Sequence, residues 1–192
     1  MIQKVSNKIK VGTIAGLAGG FVIVISFFAI DSLLVVPAGT FYMMAGISIG
    51  LHDTNAVIFG FVLHMVTAII IGVSFCICST LHPILHLKNV WKGIFAGSIT
   101  GIVVYAIFFM PITLYLIIPT IDSLMGDVGQ TLLTGQEHIV VSVLKAKLHT
   151  IMWGALVLHV FFGSTMGLFS TIMLRRVQDS KKDSQIFKTN TP

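Results

Sequence analysis

The chain has 192 residues, 55 % of them apolar and only 10 % charged, with a formal net charge of +5 and a mean hydropathy of +0.97. Soluble domains carry about a quarter charged residues, so the composition excludes an ordinary soluble fold and marks a membrane protein. Four apolar runs are each long enough to cross a hydrocarbon core, near residues 11–36, 54–78, 93–118 and 150–174. They predict an all-α, four-helix transmembrane bundle over residues 1–176, followed by a polar tail, 177–192, expected to be disordered.

Span one opens V-G-T-I-A-G-L-A-G-G, with Gly12, Gly16 and Gly20 four residues apart. Positions four apart share a helix face, and small residues at that spacing let helix backbones approach closely in lipid. Lys4 to Lys10 ahead of an apolar run resembles a signal peptide, with Val36-Pro37-Ala38 as a cleavage site. The run is about 26 residues, beyond the usual signal-peptide length, which predicts a retained span. Asp31 lies near the outer end, within snorkelling reach of the surface. It reads as an interfacial polar contact or, alternatively, as part of an intramembrane pathway. Residues 37–53 are apolar but short and broken by glycine, which suits an interfacial or re-entrant segment.

Span two carries the stripe Gly60, His64, Ala68, Gly72 and Cys76. Cys76 and Cys78 are spaced by two, point to different helix faces and form no natural disulfide. With His82 and His86 they make C-x-C-x3-H-x3-H, a candidate metal site set against the plainer reading of core-like cysteines and interfacial histidines. Pro83 interrupts that helix face. Span three repeats the glycine spacing as Gly93, Gly97 and Gly101, and Pro111 within it predicts a kink. The long connection 119–149 holds Gly126, Gly129 and Gly135, and its part from Glu137 to Lys147 suits an interfacial helix or an outward extension of span four. Span four carries the stripe Ala155, His159, Gly163, Gly167 and Thr171. Trp91 and Trp153 sit where interfacial anchors are expected.

Two halves of the chain match. At an offset of 81 residues, Gly12, Ala15, Gly16, Gly20, Phe27 and Phe28 correspond to Gly93, Ala96, Gly97, Gly101, Phe108 and Phe109. Spans two and four share V-L-H, and Leu51-His52 answers Leu148-His149. The pattern predicts two parallel copies of a two-helix unit, related by an axis along the membrane normal. Ten of the twelve basic residues fall on one side of the four spans. This asymmetry predicts a cell-membrane protein with both termini in the cytoplasm, and it accounts for the positive charge without a nucleic-acid partner.

His64 and His159 are the candidate chemical residues, because ionisable groups inside spans are costly and usually face the bundle interior. The sequence leaves three roles open for them. They can hydrogen-bond a neighbouring helix, with Ser26, Tyr105, Ser164 or Thr165 as partners; they can line a proton or ion pathway; or they can ligate a haem b or metal ion as a pair. No bound cofactor is the leading expectation. There is no phosphate-binding glycine loop, no H-E-x-x-H and no nucleophile elbow, and no enzymatic activity is expected.

The stretch A-V-I-F-G-F-V-L-H-M-V-T-A-I-I-I-G-V-S-F (Ala56 to Phe75), W-K-G-I-F-A-G (Trp91 to Gly97) and the span-four histidine resemble a group of small four-span membrane proteins related to YagU. That resemblance covers spans two to four and implies fold and location, not activity. The expected function is permeation of a small solute, ion or proton, by a homo-oligomer or a lone chain in the bilayer. The alternatives are an accessory subunit of a larger membrane complex and a bis-histidine haem-binding electron carrier.

Overall fold

The computed structural model describes residues 2–79, 87, 89–126, 133 and 135–189, and all of the regular structure among them is helical. With no water in the hydrocarbon core, a spanning segment must satisfy its own backbone, and a helix does so within one segment. Four helices are long and apolar enough to cross a membrane. They are α1 (Ile2–Leu34), α3 (Asp53–Cys78), α4 (Val90–Leu124) and α5 (Gly135–Thr189). The short α2 (Thr40–Ile47) lies between α1 and α3. Residues 137–147 continue the helix of span four rather than forming a separate element. The helical backbone also runs through much of the polar stretch expected to be disordered, as far as Thr189. Residues 177–189 contain neither glycine nor proline to end a helix, and their Lys and Gln residues are good helix formers.

Most packing runs in the order α3, α1, α5, α4. Glycine seams hold the outer pairs together at the end of the bundle that carries both termini. A Cβ on Gly12 would lie 2.7 Å from the Gly72 carbonyl oxygen, and one on Gly16 would strike that of Ala68. In the α4–α5 seam, Gly97 and Gly163 meet backbone to backbone, as do Gly93 and Gly167, and Gly101 abuts the His159 carbonyl. The central α1–α5 contact seats Gly19 against Phe162. Cys76, fully buried, donates its thiol hydrogen to Ser170 Oγ at 3.3 Å and links α3 to α5.

The opposite end is built differently. Here Met43, Met44 and Ile47 of α2, Ala56 of α3, Ile121 of α4 and Val140, Val141 and Leu144 of α5 form a second core. Glu137 is buried within this end at 0 % exposure. Its Oε1 accepts from the Asp53 backbone N–H at 3.1 Å and from His52 Nδ1 at 3.1 Å. Asp53 adopts φ 52°, the left-handed region that aspartate tolerates better than most residues. The carboxylate sits in the first turn of α5 and binds the first residue of α3, two positions where helix dipoles favour negative charge.

Between these ends α4 is wound unusually. It makes two π turns, Tyr105–Phe109 and Thr113–Ile117. A proline clashes with the carbonyl four residues before it and donates no hydrogen bond there. Four residues before Pro111 is Ile107, and four before Pro119 is Tyr115, the centres of the two π turns. The wider winding accommodates both rings without breaking the helix. The kink expected at Pro111 is therefore absorbed as π geometry. α4 is the least embedded span, with 17 % of its most apolar window buried against 33 % in the other three.

Candidate functional site

A cavity of about 250 Å³ lies midway along the bundle, from where α4 leaves the glycine seam to the edge of the second core, whose Met44, Ile121 and Leu144 help to line it. Its floor comes from α1 and α5 through Ile23, Phe27 and Phe162. α2 contributes Phe41 and Tyr42, and the π-wound part of α4 contributes Phe108, Phe109 and Ile112. Both intramembrane histidines line it. His64 lies eleven residues into α3, about 16 Å from its start at 1.5 Å per residue. The glycines explain why open space survives here. They draw the helices together at one end, while Phe, Tyr and His side chains hold them apart at the level of the rings.

The two imidazoles do not bond to each other, nor to the serine, threonine or tyrosine partners expected from the sequence. His64 Nε2–H donates to the Gly20 carbonyl across the α1–α3 contact at 3.3 Å. His159 Nδ1–H donates to the Ala155 carbonyl one turn earlier in α5 at 2.7 Å. A carbonyl only accepts, so each bond fixes the tautomer of a neutral ring. His64 is left with a lone pair on Nδ1 and His159 with one on Nε2. Ser26 instead donates to Val22 O, and Ser164 pairs with Ser98 Oγ at 2.8 Å.

Aromatic rings set the orientation of both histidines. Tyr42 lies 5.7 Å from His64 between centroids. Tyr105 and Phe109, stacked at 5.3 Å, stand 5.6 and 5.3 Å from His159. The Tyr105 hydroxyl is engaged, donating to the Met152 carbonyl at 3.1 Å. The Tyr42 hydroxyl is not. Tyr42 is 3 % exposed and its ring lines the cavity, but its hydroxyl is sealed within the protein and has no hydrogen-bond partner.

Asp31 does not snorkel to the surface. It is 1 % exposed, and its Oδ2 accepts from the Gly39 N–H at 2.7 Å, tying the end of α1 to the start of α2. Gly39 has φ 86° and faces Val57, so the turn needs glycine on both conformational and steric grounds. Asp31 Oδ1 has no hydrogen-bond partner. Asp31 thus positions α2, and with it Tyr42, but it is not among the residues that line the cavity.

At the C-x-C-x3-H-x3-H motif, Cys76 is buried and Cys78 exposed, both as free thiols. His82 and His86 lie outside the described residues. Among the described residues no three His, Cys, Asp or Glu side chains cluster as a metal site. Glu137, His52 and Tyr42 are the residues that sequence reasoning missed. For Glu137 the available signal was a lone carboxylate just ahead of the largely apolar run 139–144, and for Tyr42 a phenol in an otherwise apolar segment. The chain matches no known protein family, no curated protein and no solved structure.

Proposed function

We propose that the chain is an integral membrane protein that takes a small, largely apolar solute from the bilayer into the mid-span cavity and handles it there without chemically changing it. The observation that carries this reading is the cavity itself, ring-sized and lined by hydrocarbon with a few convergent polar groups, the usual character of a small-molecule site. Its polar members are two imidazoles, one phenol, Thr67 and Thr113. Such a lining suits an apolar body with a few hydrogen bonds better than a hydrated ion. The histidines bond to separate carbonyls rather than to each other, which favours a binding role over a shared-proton relay.

Size separates this reading from a haem carrier. A dry apolar cavity of about 150 Å³ holds one benzene ring. At about 250 Å³ the present cavity has room for one substituted ring. A porphyrin is four pyrrole rings around a metal and needs far more. Solutes enter most readily between α3 and α4, which face each other across the cavity without a glycine seam.

The test uses fluorine NMR of 4-fluorotoluene added to the full chain in detergent. We expect saturable broadening with wild type that disappears in Thr67→Phe, where a ring fills the cavity. Equal, non-saturable broadening for both proteins would show partition into the micelle alone and would overturn the reading.

A further inference from the structure

Resting on that reading of the cavity, we propose that its solute is an aromatic diol of the hydroquinone class, held through both hydroxyls and carrying an apolar tail into the bilayer. The argument starts from hydrogen-bond inventory. Each histidine spends its N–H on a backbone carbonyl, so both rings present acceptors. An acceptor left unpaired within the bundle is costly, so a donor supplied by a ligand is the expected complement.

One ligand hydroxyl donates to His64 Nδ1, and the second donates to His159 Nε2. A molecule with two donors on one rigid apolar ring satisfies both, whereas a simple alcohol satisfies one end alone. Between the polar groups the wall is aromatic, with the Phe27–Phe41 stack at 4.6 Å on one side and Phe108 and Phe109 on another. Such walls pack against a flat ring by offset or edge contacts.

The same inventory distinguishes the reduced from the oxidised ring. A quinone offers two acceptors and no donor. It would set its carbonyl oxygens against two imidazole lone pairs. Reversing either tautomer would turn a histidine lone pair toward the Gly20 or Ala155 carbonyl. The site therefore selects the diol. An apolar tail has a way out between α3 and α4, the same gap through which the solute enters.

Displacement of 4-fluorotoluene from the full chain in detergent, under anaerobic conditions, tests the proposal. The competitors are tetramethylhydroquinone, its quinone, tetramethylbenzene and 1-decanol. The two hydrogen bonds to the imidazoles predict that the diol competes at least about tenfold more strongly than tetramethylbenzene. The quinone and decanol should fall well short of the diol. His159→Phe, which keeps the ring shape and breaks only a bond within its own helix, should cut the diol's advantage severalfold. His64→Phe should do the same at the other hydroxyl, and saturable binding of 4-fluorotoluene retained in either variant guards against a folding failure. A decyl-substituted diol that outcompetes the tailless one in wild type, with no such gain in Thr67→Phe, identifies the membrane-borne form. Equal competition by the two identifies a free phenolic solute and overturns the tail.

If tetramethylbenzene or decanol competes as well as the diol, the diol assignment is wrong while the solute cavity stands. If the fluorinated probe itself never binds saturably, both fall together.

Discussion

The two ends of this bundle hold together by opposite means. At the end carrying the termini, the backbones touch through glycine, and the contact is won by removing side chains. At the other end the contact is made by large side chains, from Met43 to Leu144, around a buried carboxylate. In lipid no hydrophobic force drives helices together, so close van der Waals fit and satisfied polar groups must do it. The glycine end uses the first device and the Glu137 end the second. What the comparison teaches is where a cavity can exist. It lies at the changeover, where neither device fills the space and α4 passes from one to the other through two π turns.

The largest effect should come from closing the difference at the glycine end. A Cβ on Gly97 would collide with the Gly163 carbonyl and stand 3.0 Å from the Gly167 Cα, all of it backbone that cannot rotate away. We expect Gly97→Ala to destabilise the bundle by about 3 kcal/mol, the upper part of the range for overpacking. Gly154 is the control, because a Cβ there meets nothing within 4 Å. Gly154→Ala should leave stability unchanged or raise it by up to about 1 kcal/mol through helix propensity. Thermal unfolding in detergent measures both, and equal midpoints would show that the seam does not hold the bundle.

The opposite end should break through its polar group. Removing the Glu137 side chain leaves the Asp53 N–H without its acceptor and a void among apolar neighbours. Glu137→Ala should cost about 2 kcal/mol, from an unsatisfied donor and lost packing combined. Glu137→Gln keeps an amide oxygen for the Asp53 N–H and should cost about half as much. If Gln proves as damaging as Ala, the charge itself, and not its acceptor oxygen, holds this end.

These two ends were unequally legible in the sequence. Gly93, Gly97 and Gly101 stand out because spacing by four on a helix is a local property. The all-helical architecture and the four apolar helices were legible for a similar reason, since a run of apolar residues needs no partner to be recognised. The contact between His52 and Glu137 joins residues separated by 85 positions, and no local pattern announces it. His64 and His159 were visible as anomalies within apolar spans. Their bonding partners were not, because both rings chose backbone carbonyls, which every residue carries. Asp31 was misjudged in depth for a related reason. Its place was judged from distance along the helix, whereas a turn through Gly39 folds α2 back over it.

The smallest effect concerns the changeover itself. If the π turns exist because Pro111 and Pro119 cannot accept α winding, restoring one N–H should tighten one turn. In Pro111→Ala the new amide can bond the Ile107 carbonyl. Full conversion of the helix beyond it to α register would rotate the following residues by about 100°. That would pull Ile121 out of its cluster with Val140 and Val141, so the far end resists it. The gain of one hydrogen bond and the strain of that rotation oppose each other. The net change in stability should therefore stay within about 1 kcal/mol. The informative readout is local. Deuterium exchange followed by mass spectrometry should show slower exchange in peptides covering 105–111, with no change in peptides covering 155–167. Probe binding in the cavity should weaken severalfold, because Phe108 and Phe109 belong to the turn that tightens. Unchanged exchange across 105–111 would mean that packing at Gly101 and Ile121, rather than the proline, imposes the wide winding.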